Sequence, residues 1–132
     1  MAEILLDSDI IIAWLRGCEP ISTVVIRLLD EGDSLVWTPV SVAEIFAGVR
    51  KTEEELAERL FLTLDSLTPS AEVGRKAGFY LSAYAKSHSV ELGDALIGAS
   101  AAVHGLPLWT LNRNHYPMKD VRFFSPAKNK QP

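Results

Sequence analysis

Asp7, Glu44 and Asp94 are the carboxylates whose places in the chain suit chemistry, and Ser8, Asp9, Thr110 and Asn112 are the polar residues placed to serve them. Asp7 ends a short apolar run. Glu44 falls in the first turns of a helix that follows a β-favouring run. Asp94 opens a later helix, where partial positive charge favours an anion. Thr110 and Asn112 close a further β-favouring run. In open parallel sheets the side chains of several loops converge outside the carboxyl ends of the strands, so these residues are expected to share one crevice. Carboxylates gathered there repel one another, and a bound dication is the simplest compensation. Oxygen donors without nearby Cys or His suit a hard cation such as Mg²⁺ rather than zinc. The Ser8 and Thr110 hydroxyls are placed to hydrogen-bond the acids, and Asp9 stands beside them in the first helical turn.

The elements that must position these residues follow from hydrophobic periodicity. Residues 3–6 read as a strand, Ser8 as an N-cap, and Ile11, Ile12 and Leu15 as the stripe of a first helix. Ile21, Val24, Val25, Leu28 and Leu29 recur at helical spacing until Gly32. Leu35 to Thr38 predicts a strand, and Pro39 and Ser41 start a helix carrying Val42, Ile45, Phe46 and Val49. Glu53 to Leu64 has the two-sided pattern of an amphipathic surface helix, and Ser66 to Thr68 a short strand's pattern. Ser70 opens a long helix to about Ser87, a helix rich in small residues runs from Asp94 through Ala102 to Gly105, and Leu108–Leu111 and Val121–Phe124 read as the last strands. Strands alternating with helices predict a three-layer α/β/α sandwich with a mostly parallel central sheet.

At 132 residues, 48 % hydrophobic and 23 % charged, the chain has the size and composition of one folded domain, expected over residues 1–126 with a flexible polar tail at 127–132. Cys18 is the sole cysteine, so no internal disulfide forms, which suits a reducing cytoplasm. The N-terminus mixes Ile4, Leu5 and Leu6 with Glu3, Asp7 and Asp9, unlike a signal peptide, and no apolar stretch is long enough for a membrane span. A net charge of −4 argues against gripping nucleic acid through a basic surface alone. His88, His104 and His115 lack metal-ligand spacing and suit surface or helix-end places, while Trp14, Trp37, Trp109 and the phenylalanines follow the apolar faces and are expected in the core or an interface.

Four runs, in this order, resemble the PIN-domain ribonucleases and especially the VapC-type toxins of toxin–antitoxin pairs: LLDSDIIIAWLRG at 5–17, SVAEIFAGVR at 41–50, LGDALIGASAAVHGLPLWT at 92–110 and NRNHY at 112–116. The resemblance spans nearly the whole chain; each run alone is unspecific. It implies that Asp7, Glu44 and Asp94 are metal-binding acids of an endoribonuclease using Mg²⁺ or Mn²⁺, and that Asn112 occupies the fourth catalytic position, often Asp in the broader family. With Asn there, Asp9 is a candidate to supply part of the missing charge. The implied reaction is hydrolysis of an RNA phosphodiester by metal-activated water. Arg16, Arg50 and Arg113, with Lys51 and Lys119, are candidate RNA contacts. The resemblance further implies a protein antitoxin and a homodimer, formed through the helices between 21 and 65. Two other readings stand beside it. One is a Mg²⁺-binding, receiver-like or phosphatase domain with a nucleophilic Asp7; the other is a catalytically weak PIN-like scaffold that binds a protein partner through its amphipathic helices.

Overall fold

Ile4, Leu5 and Leu6 are all fully buried, yet successive side chains of a strand point to opposite faces, so this short run needs cover on both sides. The computed structural model, which describes residues 2–126, supplies it. Strand β1 (Glu3–Leu6) lies inside a four-stranded sheet with β2 (Ser34–Trp37), β3 (Asp65–Ser66) and β4 (Leu108–Trp109), in the order β3-β2-β1-β4. Every pairing is parallel, with Leu5 opposite both Val36 and Leu108. The three-layer α/β/α architecture expected from the sequence is the one observed.

Each face of the sheet carries its own core. Ile4, Leu6 and Leu35 face one way, where they pack with α1 (Ser8–Leu15), α2 (Ile21–Asp30), α3 (Pro39–Gly48) and α4 (Glu54–Thr63). Leu5, Val36 and Leu108 face the other way, towards α5 (Ala71–His88) and α6 (Leu92–His104). The alternation of burial partners along residues 4–6 is the strand period made visible, and each such side chain contributes about 2 kcal/mol through burial. The chain builds β1, β2 and β3 in one direction, then crosses under α5 and α6 to set β4 on the free side of β1. The carboxyl ends of β1 and β4 therefore flank the point where strand order reverses, the place where such sheets form a crevice.

Several boundaries depart from the sequence reading. The N-cap of α1 is Asp7, whose carboxylate accepts from the Ser8 N–H, and Ser8 is the first helical residue. This leaves the Ser8 hydroxyl free to reach across to α3. Thr38, expected as strand, is the N-cap of α3 and accepts from the Val40 N–H at 3.2 Å. Strand β4 ends at Trp109 rather than Leu111, because Thr110 and Leu111 turn their hydroxyl and N–H towards the acids of α1. Val121–Phe124 is not a strand: it meets β4 in one bridge, Leu108 to Phe123, closed by Leu108 N–H to Arg122 O and Phe124 N–H to Leu108 O, both 2.8 Å. Two 3-10 turns, Lys51–Glu53 and Arg113–His115, were not expected. The tail expected at 127–132 lies outside the described residues.

Candidate active site

Asp7 is 8 % exposed and held at three points. Its Oδ1 accepts from the Ser8 N–H at 2.7 Å, and its Oδ2 accepts from the Thr110 hydroxyl and the Tyr116 phenol, each at 2.8 Å. A carboxylate offers roughly four acceptor positions, so one remains, on Oδ1. The backbone fixes the same corner, since the Asp7 N–H donates to Trp109 O at 3.0 Å, locking the end of β1 against the end of β4. Burial, reinforced by the Asp7 charge, raises the Tyr116 phenol far above the ordinary range, so it remains a donor.

Asp9, in the first turn of α1, leans towards the end of β4. Its Oδ2 accepts from the Leu111 N–H at 3.0 Å, the Asn112 side-chain amide at 2.9 Å and the Thr110 hydroxyl at 3.3 Å, while its Oδ1 is buried without a partner. Thr110 thus serves Asp7 and Asp9 with one oxygen, and its hydroxyl also accepts the Asn112 N–H at 3.0 Å. Burial, then the Asp7 charge, pushes the Asp9 carboxyl up, against the opposing pull of the Leu111 and Ile10 N–H groups and the Asn112 amide.

Glu44 and Asp94 arrive from opposite helical layers. Glu44, exposed on α3, accepts a short hydrogen bond from the Ser8 hydroxyl, which also lies 3.1 Å from the hydroxyl of fully buried Ser41. Its Oε2 hangs over Gly93, where a Cβ would stand 2.5 Å away, so Glu44 reaches the first turn of α6 directly beside Asp94. Asp94 accepts the Glu91 N–H at 3.1 Å through Oδ2, and its Oδ1 is 3.7 Å from His115 Nδ1. Burial raises the Asp94 carboxyl above the ordinary range and the nearby Asp7 charge adds to this, opposed by the Glu91 N–H and His115.

The donor set is four carboxylates with one bare buried oxygen, which fits a hard divalent cation. The side-chain conformation is open: among the described residues no three His, Cys, Asp or Glu side chains are drawn together tightly enough to grip an ion. Asp7 and Asp9 are pinned, whereas Glu44 and Asp94 are turned to Ser8 and Glu91.

Among the basic residues named from sequence, Arg16 lines a cleft of about 260 Å³ together with Ser8, Asp9, Glu44 and Gly48. Its guanidinium is held bidentately by Glu53 at 2.9 and 3.2 Å, and that guanidinium, followed by the Arg50 N–H, pulls the Glu53 carboxyl down to about 2. The Arg50 backbone N–H donates to the same Glu53 at 2.8 Å, while its side chain is exposed. Arg113 turns away from the crevice: it lies over the Phe123 ring, 4.9 Å from the centroid, and donates to Phe124 O and Ser125 Oγ.

Three residues of the site escaped the sequence reading. Tyr116 stands in the quoted NRNHY run, but nothing local marks its hydroxyl as a partner of Asp7, 109 residues away. His115 read as a surface residue; it is exposed and also faces Asp94. Ser41 read as a helix starter, and only its complete burial sets it apart. Replacing Tyr116 by Phe removes one donor from a buried carboxylate and is expected to cost about 1–2 kcal/mol of stability. Denaturant melts of the two proteins measure this; equal midpoints would show that the bond contributes nothing net.

Comparison with known proteins adds three findings. A family model described as PIN domain matches residues 4–122. Ribonuclease VapC10 of Mycobacterium tuberculosis is 37 % identical over 116 residues, covering 87 % of this chain and 86 % of the relative, and ribonuclease VapC19 of the same organism is 31 % identical over 116 residues, covering 86 % and 92 %. The fold superposes on a chain of DNA-bound VapBC from Salmonella typhimurium with a TM-score of 0.78 at 18 % identity, over 96 % of this chain and 99 % of that one.

Proposed function

This chain belongs to the PIN-domain family, and from that premise we propose that it is a Mg²⁺- or Mn²⁺-dependent endoribonuclease, the toxin of a toxin–antitoxin pair acting in the cytoplasm. The observation that carries the reading is the approach of Asp7 and Asp9 at the start of α1, Glu44 in the middle of α3 and Asp94 at the start of α6 to one crevice beside the end of β1. No described helix is long and apolar enough to cross a membrane.

In this reading Asp7, Glu44 and Asp94 hold the cation. When bound, the ion acidifies water and offsets charge on the scissile phosphate. Asp7 gives a fixed ligand direction because three donors and its own backbone orient it. Glu44 and Asp94, which accept from the Ser8 hydroxyl and the Glu91 N–H, would complete the set. The negative protein would meet a polyanion through this locally neutralised centre. A receiver-like reading, with Asp7 as nucleophile, is disfavoured because a buried, triply held carboxylate leaves little room for a phosphoryl group.

A docked antitoxin segment is supported by an apolar groove of about 240 Å³ between α1 and α4, lined by Trp14, Leu15, Leu56, Arg59, Leu60 and Thr63. Ile26 and Leu29 on α2 and Leu56 and Leu62 on α4, all exposed, are the apolar side chains that the helices between 21 and 65 offer to a second copy of the chain. End-labelled RNA incubated with the protein and Mn²⁺ or Mg²⁺ is expected to be cut internally, to stay intact with excess chelator, and to be cut again when the cation is restored. RNA left whole at high protein concentration with either cation would rule the reading out.

A further inference from the structure

We infer that Asp9 supplies the fourth carboxylate of the metal site and that Asn112 positions it, instead of contributing a ligand of its own. This rests on the preceding reading that Asp7, Glu44 and Asp94 hold a divalent cation, and it assigns to α1 a role that resemblance places on residue 112.

The hydrogen bonds carry the argument. The Asn112 amide nitrogen donates to Asp9 Oδ2 at 2.9 Å. The reversed amide would set its carbonyl oxygen against a carboxylate oxygen, so chemistry fixes this orientation. Asn112 therefore presents its donor hydrogens to Asp9, and since an amide NH₂ cannot bind a cation, this side of Asn112 serves Asp9 and no ion. Asp9 is arranged in the opposite sense. Its Oδ2 takes the Leu111 N–H at 3.0 Å, the Asn112 amide and, more weakly, the Thr110 hydroxyl. Its Oδ1 is buried and takes nothing. Leaving a buried carboxylate oxygen unmatched is costly, and a cation is the partner that resolves it without removing the charge. The location agrees: Asp9 shares the Thr110 hydroxyl with Asp7 and lines the same cleft as Ser8 and Glu44.

The Asp9–Asn112 pair thus keeps the charge that four acids would give, but transfers it from the loop after β4 to the first turn of α1. An acid at 112 facing Asp9 would set two carboxylates at hydrogen-bond distance. Asn at 112 and Asp at 9 are complementary choices.

Calorimetric titration of Mn²⁺ into the full chain tests the assignment. Asp9→Asn keeps the shape and removes the charge, and is expected to weaken Mn²⁺ binding by about tenfold or more. The exchange Asp9→Asn with Asn112→Asp swaps amide and carboxylate across the same hydrogen bond and is expected to recover most of that loss. Asp94→Asn serves as the reference for losing a ligand, and far-ultraviolet circular dichroism of each protein reports folding. Unchanged Mn²⁺ affinity in Asp9→Asn, with Asp94→Asn impaired, overturns this inference and leaves the metal reading standing. So does a double exchange as weak as the single variant. Failure of the unsubstituted protein to bind Mn²⁺ overturns both.

Discussion

Asp94→Asn is expected to slow RNA cleavage by about three orders of magnitude, the scale on which losing a charge-stabilising group in an active site is felt. The substitution is nearly isosteric. The side-chain oxygen that accepts the Glu91 N–H is retained, so the start of α6 keeps its cap. A carboxylate at the third helical position gains from the helix dipole, worth about 0.3–1 kcal/mol, but this one is also raised by burial and by Asp7, and the two effects oppose each other. Stability should therefore move by less than about 1 kcal/mol in either direction. Single-turnover cleavage at matched Mn²⁺, beside thermal melts, separates the two readouts. Cleavage within tenfold of the unsubstituted protein would remove Asp94 from the mechanism.

Gly93→Ala should impair cleavage by about ten- to a hundredfold without destabilising the protein, the loss expected when a metal-orienting group is disturbed. The methyl group would lie 2.5 Å from Glu44 Oε2, closer than atoms can approach. Glu44 is the exposed, movable partner, so the clash is relieved by displacing its carboxylate and not by opening the helix. Alanine is a better helix former than glycine by up to about 1 kcal/mol, so the melting temperature should hold or rise. A variant that melts no lower and cuts poorly separates side-chain placement from folding. Full activity would mean that Glu44 works from a position that does not overlie Gly93.

The fold was largely legible because period and punctuation agreed. Apolar runs of three or four residues ending at acids or hydroxyls read as buried parallel strands, and Gly32 and Gly105 stopped helices where expected. What failed was the distinction between an apolar run and a paired one. Val121–Phe124 has the composition of a strand, but only one bridge to Leu108 forms. Placement of Asp7 and Asp94 at helix starts and of Glu44 within the helix after β2 was readable from order alone. Partnerships across the fold were not: Tyr116 with Asp7, Asn112 with Asp9 and Arg113 with the segment at 123–125 depend on chain crossings that no local pattern encodes. Asn112 looked like a weakened member of the acid set because its partner lies 103 residues earlier.

Glu44 comes from the layer packed on Ile4 and Leu6, Asp94 from the layer packed on Leu5, and the donors that hold Asp7 from the stretch at 110–116. A polypeptide still leaving the ribosome owns the first acid early, but cannot orient it until more than a hundred further residues have emerged and both helical halves have closed on the sheet. The acidic crevice is thus a property of the completed fold, present in no shorter piece of it.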